Sequence, residues 1–229
     1  MIVPKLESIG DKWIVRDDLL PGGTKMRAIM PLIEESEADE FVYASPAQGF
    51  AQIALAHCCR LLKKKATIFT AHRNQPHAYT LRAKAAGAMI IQVDNGYLTV
   101  VAARARGYAD HMGADLIPFG IEDDRAIDAI AEAARSCGAS PTEVWCAAGS
   151  GVLSRALQRA WPRANHFAIL VGKLDSDCGK ARKIIHPRRF DEPAKILPPF
   201  PSALNYDAKV WEFFSAQAKP GALFWNVAA

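Results

Sequence analysis

Continuous apolar runs of strand length alternate with stretches whose apolar positions recur at helical spacing along most of the chain. Phe41-Val42-Tyr43-Ala44, Ala66 to Ala71, Met89 to Val93, Val144 to Ala148 and His166 to Val171 read as strands, and Asp115 to Phe119 as a shorter one. Between them, the stretch carrying Ile53, Ala54, Leu55, Leu61 and Leu62, and the segments His77 to Ala86, Leu98 to His111, Asp123 to Ser136 and Val152 to Ala160, predict helices. A strand that is apolar throughout must be covered on both faces. The alternation therefore predicts an α/β fold, a parallel sheet with helices on both faces. Sheets of this kind bind ligands beyond the carboxyl ends of their strands.

Two strand-to-helix turns stand out. Trp13 to Val15 is a short strand followed by Arg16-Asp17-Asp18, the pair Gly22-Gly23, and Lys25 at the start of a helix patterned by Met26, Ile29, Met30 and Ile33. A primary amine at the mouth of a glycine turn is either a solvated turn lysine or the group that holds a carbonyl cofactor as a Schiff base. Gly149-Ser150-Gly151 stands between the strand Val144 to Ala148 and the helix from Val152. Small residues there either make an ordinary turn or let backbone N–H groups close around a phosphate at a helix N-terminus. Further on, the proline-rich Leu197 to Pro201 leads to a helix through Lys209, Trp211, Phe213 and Phe214 and a last strand, Ala222 to Val227.

Composition narrows the classes. The 229 residues are 50% hydrophobic and 23% charged, a globular composition with no disorder signature. No apolar run is long enough to span a bilayer and no leader precedes the first strand, which gives a cytoplasmic expectation. No two of the five cysteines are spaced as metal ligands, so no metal is expected, and they read as buried thiols. The formal charge of +4 does not by itself indicate a polyanion partner. Its distribution is uneven: Lys180, Arg182, Lys183, Arg188 and Arg189 form a basic segment that is either a solvated loop or an anion-binding surface. Lys63-Lys64-Lys65 ends a helix, where cations complement the dipole.

In their order along the chain, these turns resemble the pyridoxal-phosphate enzymes of fold type II, the tryptophan-synthase β group. Val15 to Asp18 with Gly22 to Arg27 is similar to the Schiff-base segment of the branch containing aminocyclopropane-carboxylate deaminase and D-cysteine desulfhydrase. The resemblance implies that Lys25 carries pyridoxal 5'-phosphate. Ala44 to Gln52 resembles the Ser-x-Gly-Asn-His loop of threonine dehydratases, which implies that Ser45 and Gln48 hold the substrate carboxylate and that Gln48 contacts the ring oxygen. Gly149, Ser150, Gly151 and Val152 resemble the phosphate loop, and Asn205 to Lys209 the segment whose acid faces the pyridine nitrogen, here Asp207. Without the resemblance, Asp207 reads as a helix N-cap beside a solvated tyrosine.

Departures from the family pattern shape the functional expectation. Gly49-Phe50 stands where the deaminase branch has Ser-Asn, and the closing strand ends in Asn226-Val227-Ala228-Ala229 rather than a His-Thr-Gly-Gly sequence. Loss of carboxylate tolerates a missing serine hydroxyl better than deamination does, so decarboxylation is the preferred reaction, with Tyr206 or Lys25 supplying the proton. The alternatives are deamination or β-elimination of a small free amino acid, and a binding protein that has lost catalysis.

The chain is shorter than typical family members. It is expected to form one compact cofactor-binding unit over 1–229, with a reduced small lobe near 41–120, and family likeness suggests a homodimer. An open cleft beside Lys180, Arg182, Lys183, Arg188 and Arg189 would accept an amino-acid group carried on a large anion. Compact proteins of this kind resemble the pyridoxal-phosphate components of phages that hypermodify thymine in DNA, which places the expected substrate on DNA in the host cytoplasm.

Overall fold

The computed structural model describes residues 2–94, 96–172 and 174–229. In chain order the first elements are β1 (Leu6–Ile9), β2 (Lys12–Arg16), α1 (Thr24–Glu34), β3 (Glu40–Ala44), α2 (Ala51–Leu61), β4 (Lys65–Ala71), α3 (Ala78–Ala85), β5 (Met89–Val93) and α4 (Leu98–Met112). They are followed by β6 (Asp115–Leu116), α5 (Asp124–Ser136), β7 (Glu143–Ala148), α6 (Val152–Ala160), β8 (Asn165–Leu170), β9 (Arg182–Ile185), α7 (Asp207–Gln217) and β10 (Leu223–Asn226). Residues 1–24 with 124–229 make one unit and 25–123 a second.

The first unit is built on a six-stranded sheet in the order β1-β2-β10-β7-β8-β9. β1 and β2 form an antiparallel hairpin around Gly10, whose φ of +59° suits a tight turn, and every other pairing is parallel. Trp145 and Ala147 of β7 join Ile14, Ile169, Val210, Phe214 and Phe224 in a dry cluster under α7. There the Trp145 ring stacks on Phe167 with centroids 4.1 Å apart. The opposite face of β7 meets α6, where the buried Ser154 hydroxyl donates to the Cys178 carbonyl at 3.0 Å. Fully burying side chains of this size contributes about 1.5–3 kcal/mol each.

The second unit holds a four-stranded, all-parallel sheet ordered β5-β4-β3-β6. Val42, Ala44 and Phe69 pack against Val101, Ala105 and Ala109 of α4. The small alanines let helix and sheet approach closely. Helices over parallel strands thus recur in both units, as the alternating pattern predicts.

Four details differ from the sequence expectation. The strands belong to two sheets. β1 is an added antiparallel strand, and part of the basic segment is the edge strand β9. The strand expected over Asp115 to Phe119 stops at Leu116, because Pro118 lacks an N–H and Gly120 adopts φ +77° within a 3₁₀ turn. All five cysteines are free thiols, and Cys58, Cys59, Cys146 and Cys178 are buried. Among the described residues, no helix is long and apolar enough to cross a membrane.

Candidate active site

The approach to Lys25 is fixed by its neighbours in sequence. Gly23 has φ +60°, and a Cβ there would lie 2.2 Å from the Val227 carbonyl oxygen, so only glycine fits. Thr24, the first residue of α1, donates its N–H to that same carbonyl at 3.0 Å. Its hydroxyl donates to Asp17 at 2.8 Å and accepts from the Trp225 indole at 2.8 Å. Asp17 and Trp225 are buried, which makes both bonds stronger than their surface counterparts. The residue before Lys25 is therefore anchored at the carboxyl ends of β2 and β10, and Lys25 is half-buried in the first turn of α1.

Gly149-Ser150-Gly151 occupies the carboxyl end of β7. Gly151 has φ +89°, and a Cβ on it would stand 1.9 Å from the Asp177 carbonyl oxygen. Ser176 donates its hydroxyl to the Gly149 carbonyl. No side chain caps α6, so the N–H groups of its first turn and its dipole favour an anion there.

Tyr206, the residue before Asp207, meets this turn. The Tyr206 hydroxyl has a backbone hydrogen bond with Gly149, and a Cβ on Gly149 would come within 3.1 Å of that oxygen. Burial, and next the charge of Asp207, push the Tyr206 hydroxyl far above the usual phenol range, so it stays protonated. Asp207 is fully buried as the first residue of α7, and its Oδ2 accepts the Ala228 N–H at 3.2 Å. Tyr206 is half-buried against the turn rather than fully solvated, and it rather than Asp207 stands at the N-cap of α7.

In the second unit, Ser45 to Gly49 links β3 to α2. Ser45 is buried and donates its hydroxyl to the Pro46 carbonyl at 2.9 Å. A Cβ on Gly49 would lie 2.7 Å from that hydroxyl oxygen. Gln48 is half-buried and its side chain makes no hydrogen bond among the described residues.

Sequence reasoning missed Gln52. It is fully buried, and its Nε2 donates to the carbonyls of Ala47 at 3.0 Å and Gly49 at 2.9 Å, drawing both inward. The backbone N–H groups of Gln48, Phe50 and Ala51 make no hydrogen bond among the described residues, leaving a set of donors at the start of α2. The available signal was one amide side chain in the otherwise apolar run Ala51 to Ala56.

The five basic residues do not act as one surface. Lys180, Arg182 and Lys183 are exposed on β9 and the turn before it, with no carboxylate partner among the described residues. Arg188 is tied to the Pro193 carbonyl, and Arg189 pairs with Asp191 at 3.3 Å. Beneath them the buried Lys209 amine donates to the Arg189 carbonyl at 2.7 Å.

The glycine turn, the buried Asp207 and a lysine one residue beyond an anchored threonine stand on the fold of the fold-type II pyridoxal-phosphate enzymes. An ACC deaminase homologue is similar with a TM-score of 0.83 at 14% identity, over 100% of this chain and 90% of that one. A hydrogen sulfide-producing enzyme of Fusobacterium nucleatum follows with a TM-score of 0.70 at 14% identity, over 99% and 93% of the two chains. Diaminopropionate ammonia lyase of Escherichia coli gives 0.72 at 12% identity, over 100% and 85%. Neither a protein-family model nor a curated protein matches the sequence. At these identities the likeness establishes the fold.

Proposed function

We propose that this chain is a pyridoxal-phosphate-dependent lyase acting at the α-carbon of an amino-acid group. The observation that carries the reading is the start of α6 after Gly149-Ser150-Gly151, where no side chain caps the helix and Gly151 packs too tightly on the Asp177 carbonyl to carry a Cβ, with the fully buried Asp207 and the half-buried Tyr206 in the same unit. The residues fit the cofactor. Gly149, Ser150, Gly151 and Val152 would hold the phosphate, Asp207 the ring nitrogen, Gln48 the ring oxygen and Lys25 the carbonyl carbon. When bound, the cofactor supplies a sink for the electron pair released at the α-carbon.

The chain's own groups then divide the work. Asp207, a buried acid, would favour a positive charge on the ring nitrogen it holds. Ser45 and Gln48, with the N–H groups at the start of α2, orient the substrate carboxylate. Tyr206, held protonated, and the Lys25 amine are the proton donors for the α-carbon.

For the bond that breaks, we infer Cα–carboxylate: carbon dioxide leaves and one proton from Tyr206 or Lys25 replaces it. Supporting this is the loop itself, in which the Ser45 hydroxyl is engaged by Pro46 and residues 46–50 supply no other hydroxyl. The substrate form we propose is an amino-acyl substituent on a thymine of phage DNA, with the protein a homodimer. A second reading, deamination or β-elimination of a small free amino acid, is favoured by what the similar structures are named for: ACC deamination, hydrogen sulfide production and ammonia release.

One experiment separates them. Holoprotein is incubated with free amino acids and, in parallel, with amino-acyl-thymine DNA, and carbon dioxide, ammonia and keto acid are quantified. Carbon dioxide without ammonia, from the DNA substrate, supports the first reading. Ammonia and a keto acid from a free amino acid replace it with the second, and no product from either substrate removes the enzyme reading.

A further inference from the structure

The first unit carries a groove of about 820 Å³ whose wall includes Arg155, Gln158 and Arg159 of α6 and, across from them, His166, Lys180 and Arg182. None of these residues belongs to the cofactor site proposed above. The segment that supports the groove does touch that site: Ser176 and Asp177 pack on Gly149 and Gly151, and the chain then continues through Gly179 into Lys180.

This wall is built rather than incidental. Gln158 uses its whole amide to pin the turn, its Nε2 donating to the Cys178 carbonyl at 2.7 Å and its Oε1 accepting the Lys180 N–H at 2.7 Å. Gly179, at φ +61°, leaves no room for a side chain, since a Cβ would lie 2.7 Å from that same oxygen. On the facing helix, Arg159 is held by Asp124 at 2.7 Å and Asp128 at 2.6 Å, and Arg155 by Asp177 at 3.3 Å. The buried Nε of Arg155 has no hydrogen-bond partner among the described residues.

Charge indicates the ligand. Acids neutralise the arginines of α6 in part, whereas Lys180, Arg182 and the neighbouring Lys183 have no carboxylate partner among the described residues. The groove is open and far larger than one phosphate, and its unpaired cations continue along an exposed edge strand. That arrangement suits a chain of phosphates tracking across the surface.

We propose that the α6–β9 groove binds the phosphate backbone of DNA. The proposal deepens the DNA-borne substrate reading and rests on it for the choice of DNA over other phosphate chains.

Binding is read without turnover, by fluorescence anisotropy of a labelled DNA duplex with holoprotein across a salt series. The expected result is affinity that falls with salt at a log–log slope of about −2 to −3, since each neutralised phosphate contributes about −0.9. Lys180→Glu with Arg182→Glu should weaken binding at least about ten-fold, while Lys84→Glu on α3 and the visible spectrum of the cofactor stay unchanged. No binding at low salt, or binding unaffected by the double variant, overturns the proposal. So does competition by inorganic triphosphate as effective as by unlabelled DNA, which would make the groove a site for a small phosphate ligand. DNA binding that persists in a protein taking up no cofactor would remove the enzyme reading and leave the groove standing.

Discussion

The α-carbon of Gly151 faces the carbonyl oxygen of Asp177 so closely that a Cβ would sit 1.9 Å from it. Backbone on both sides leaves neither partner room to move. Gly151→Ala should therefore cost about 2–4 kcal/mol in urea unfolding, from the left-handed conformation and the clash together. It should also abolish cofactor uptake. Gly149→Ala meets only the Tyr206 side chain at 3.1 Å and should lose less than half as much stability.

Thr24→Val keeps the shape of the residue before Lys25 but removes the hydroxyl shared by Asp17 and Trp225. A loss of about 1–3 kcal/mol is expected from these buried bonds. Because Lys25 is the next residue, its rate of cofactor capture should fall in the Thr24→Val protein even at temperatures where the variant is fully folded. Stopped-flow mixing with pyridoxal phosphate measures that rate.

Gln52→Leu should release the Ala47 and Gly49 carbonyls and cost about 1–2 kcal/mol. If the loop orients the substrate carboxylate, KM rises by more than kcat falls. Cofactor absorbance should persist, which separates a loop effect from global unfolding.

Much of this architecture is legible in the residues. Strands such as Val144 to Ala148 are apolar throughout, and the boundaries of α6 match the pattern Val152 to Ala160. What the pattern does not carry is pairing between distant segments. β10 inserts between β2 and β7 at the far end of the chain, and only tertiary packing fixes that order. β9 was hidden because Arg182 and Lys183 lead its two isoleucines, as suits an exposed edge. In the site, glycine turns announce themselves, since their conformations demand that residue. Gln52 does not, because its importance lies in two backbone carbonyls that no sequence pattern displays.

Glu212 supplies a pH-dependent contribution. Burial opposes its ionisation, but the N–H groups of Lys195 and Ile196 and the His186 ring outweigh that and hold the carboxyl below its ordinary value. A lowered folded-state value means stability that is complete above the unfolded carboxyl's range, near pH 4.3, and lost as pH falls through the lower folded value. Glu212→Gln should thus be less stable than the parent by about 1–2 kcal/mol at pH 7, and the gap should narrow below pH 4. Urea midpoints at pH 7 and pH 3.5 check the sign. A gap that widens in acid would contradict it.

The central claim is that Lys25 carries pyridoxal phosphate. The direct measurement is the visible spectrum of purified protein with added pyridoxal phosphate, followed by borohydride reduction and peptide mapping. A stable visible band and a reduced adduct on the peptide containing Lys25, both absent from Lys25→Ala, are the predicted result. No band, or label scattered over exposed lysines, would contradict the claim and leave an α/β binding protein.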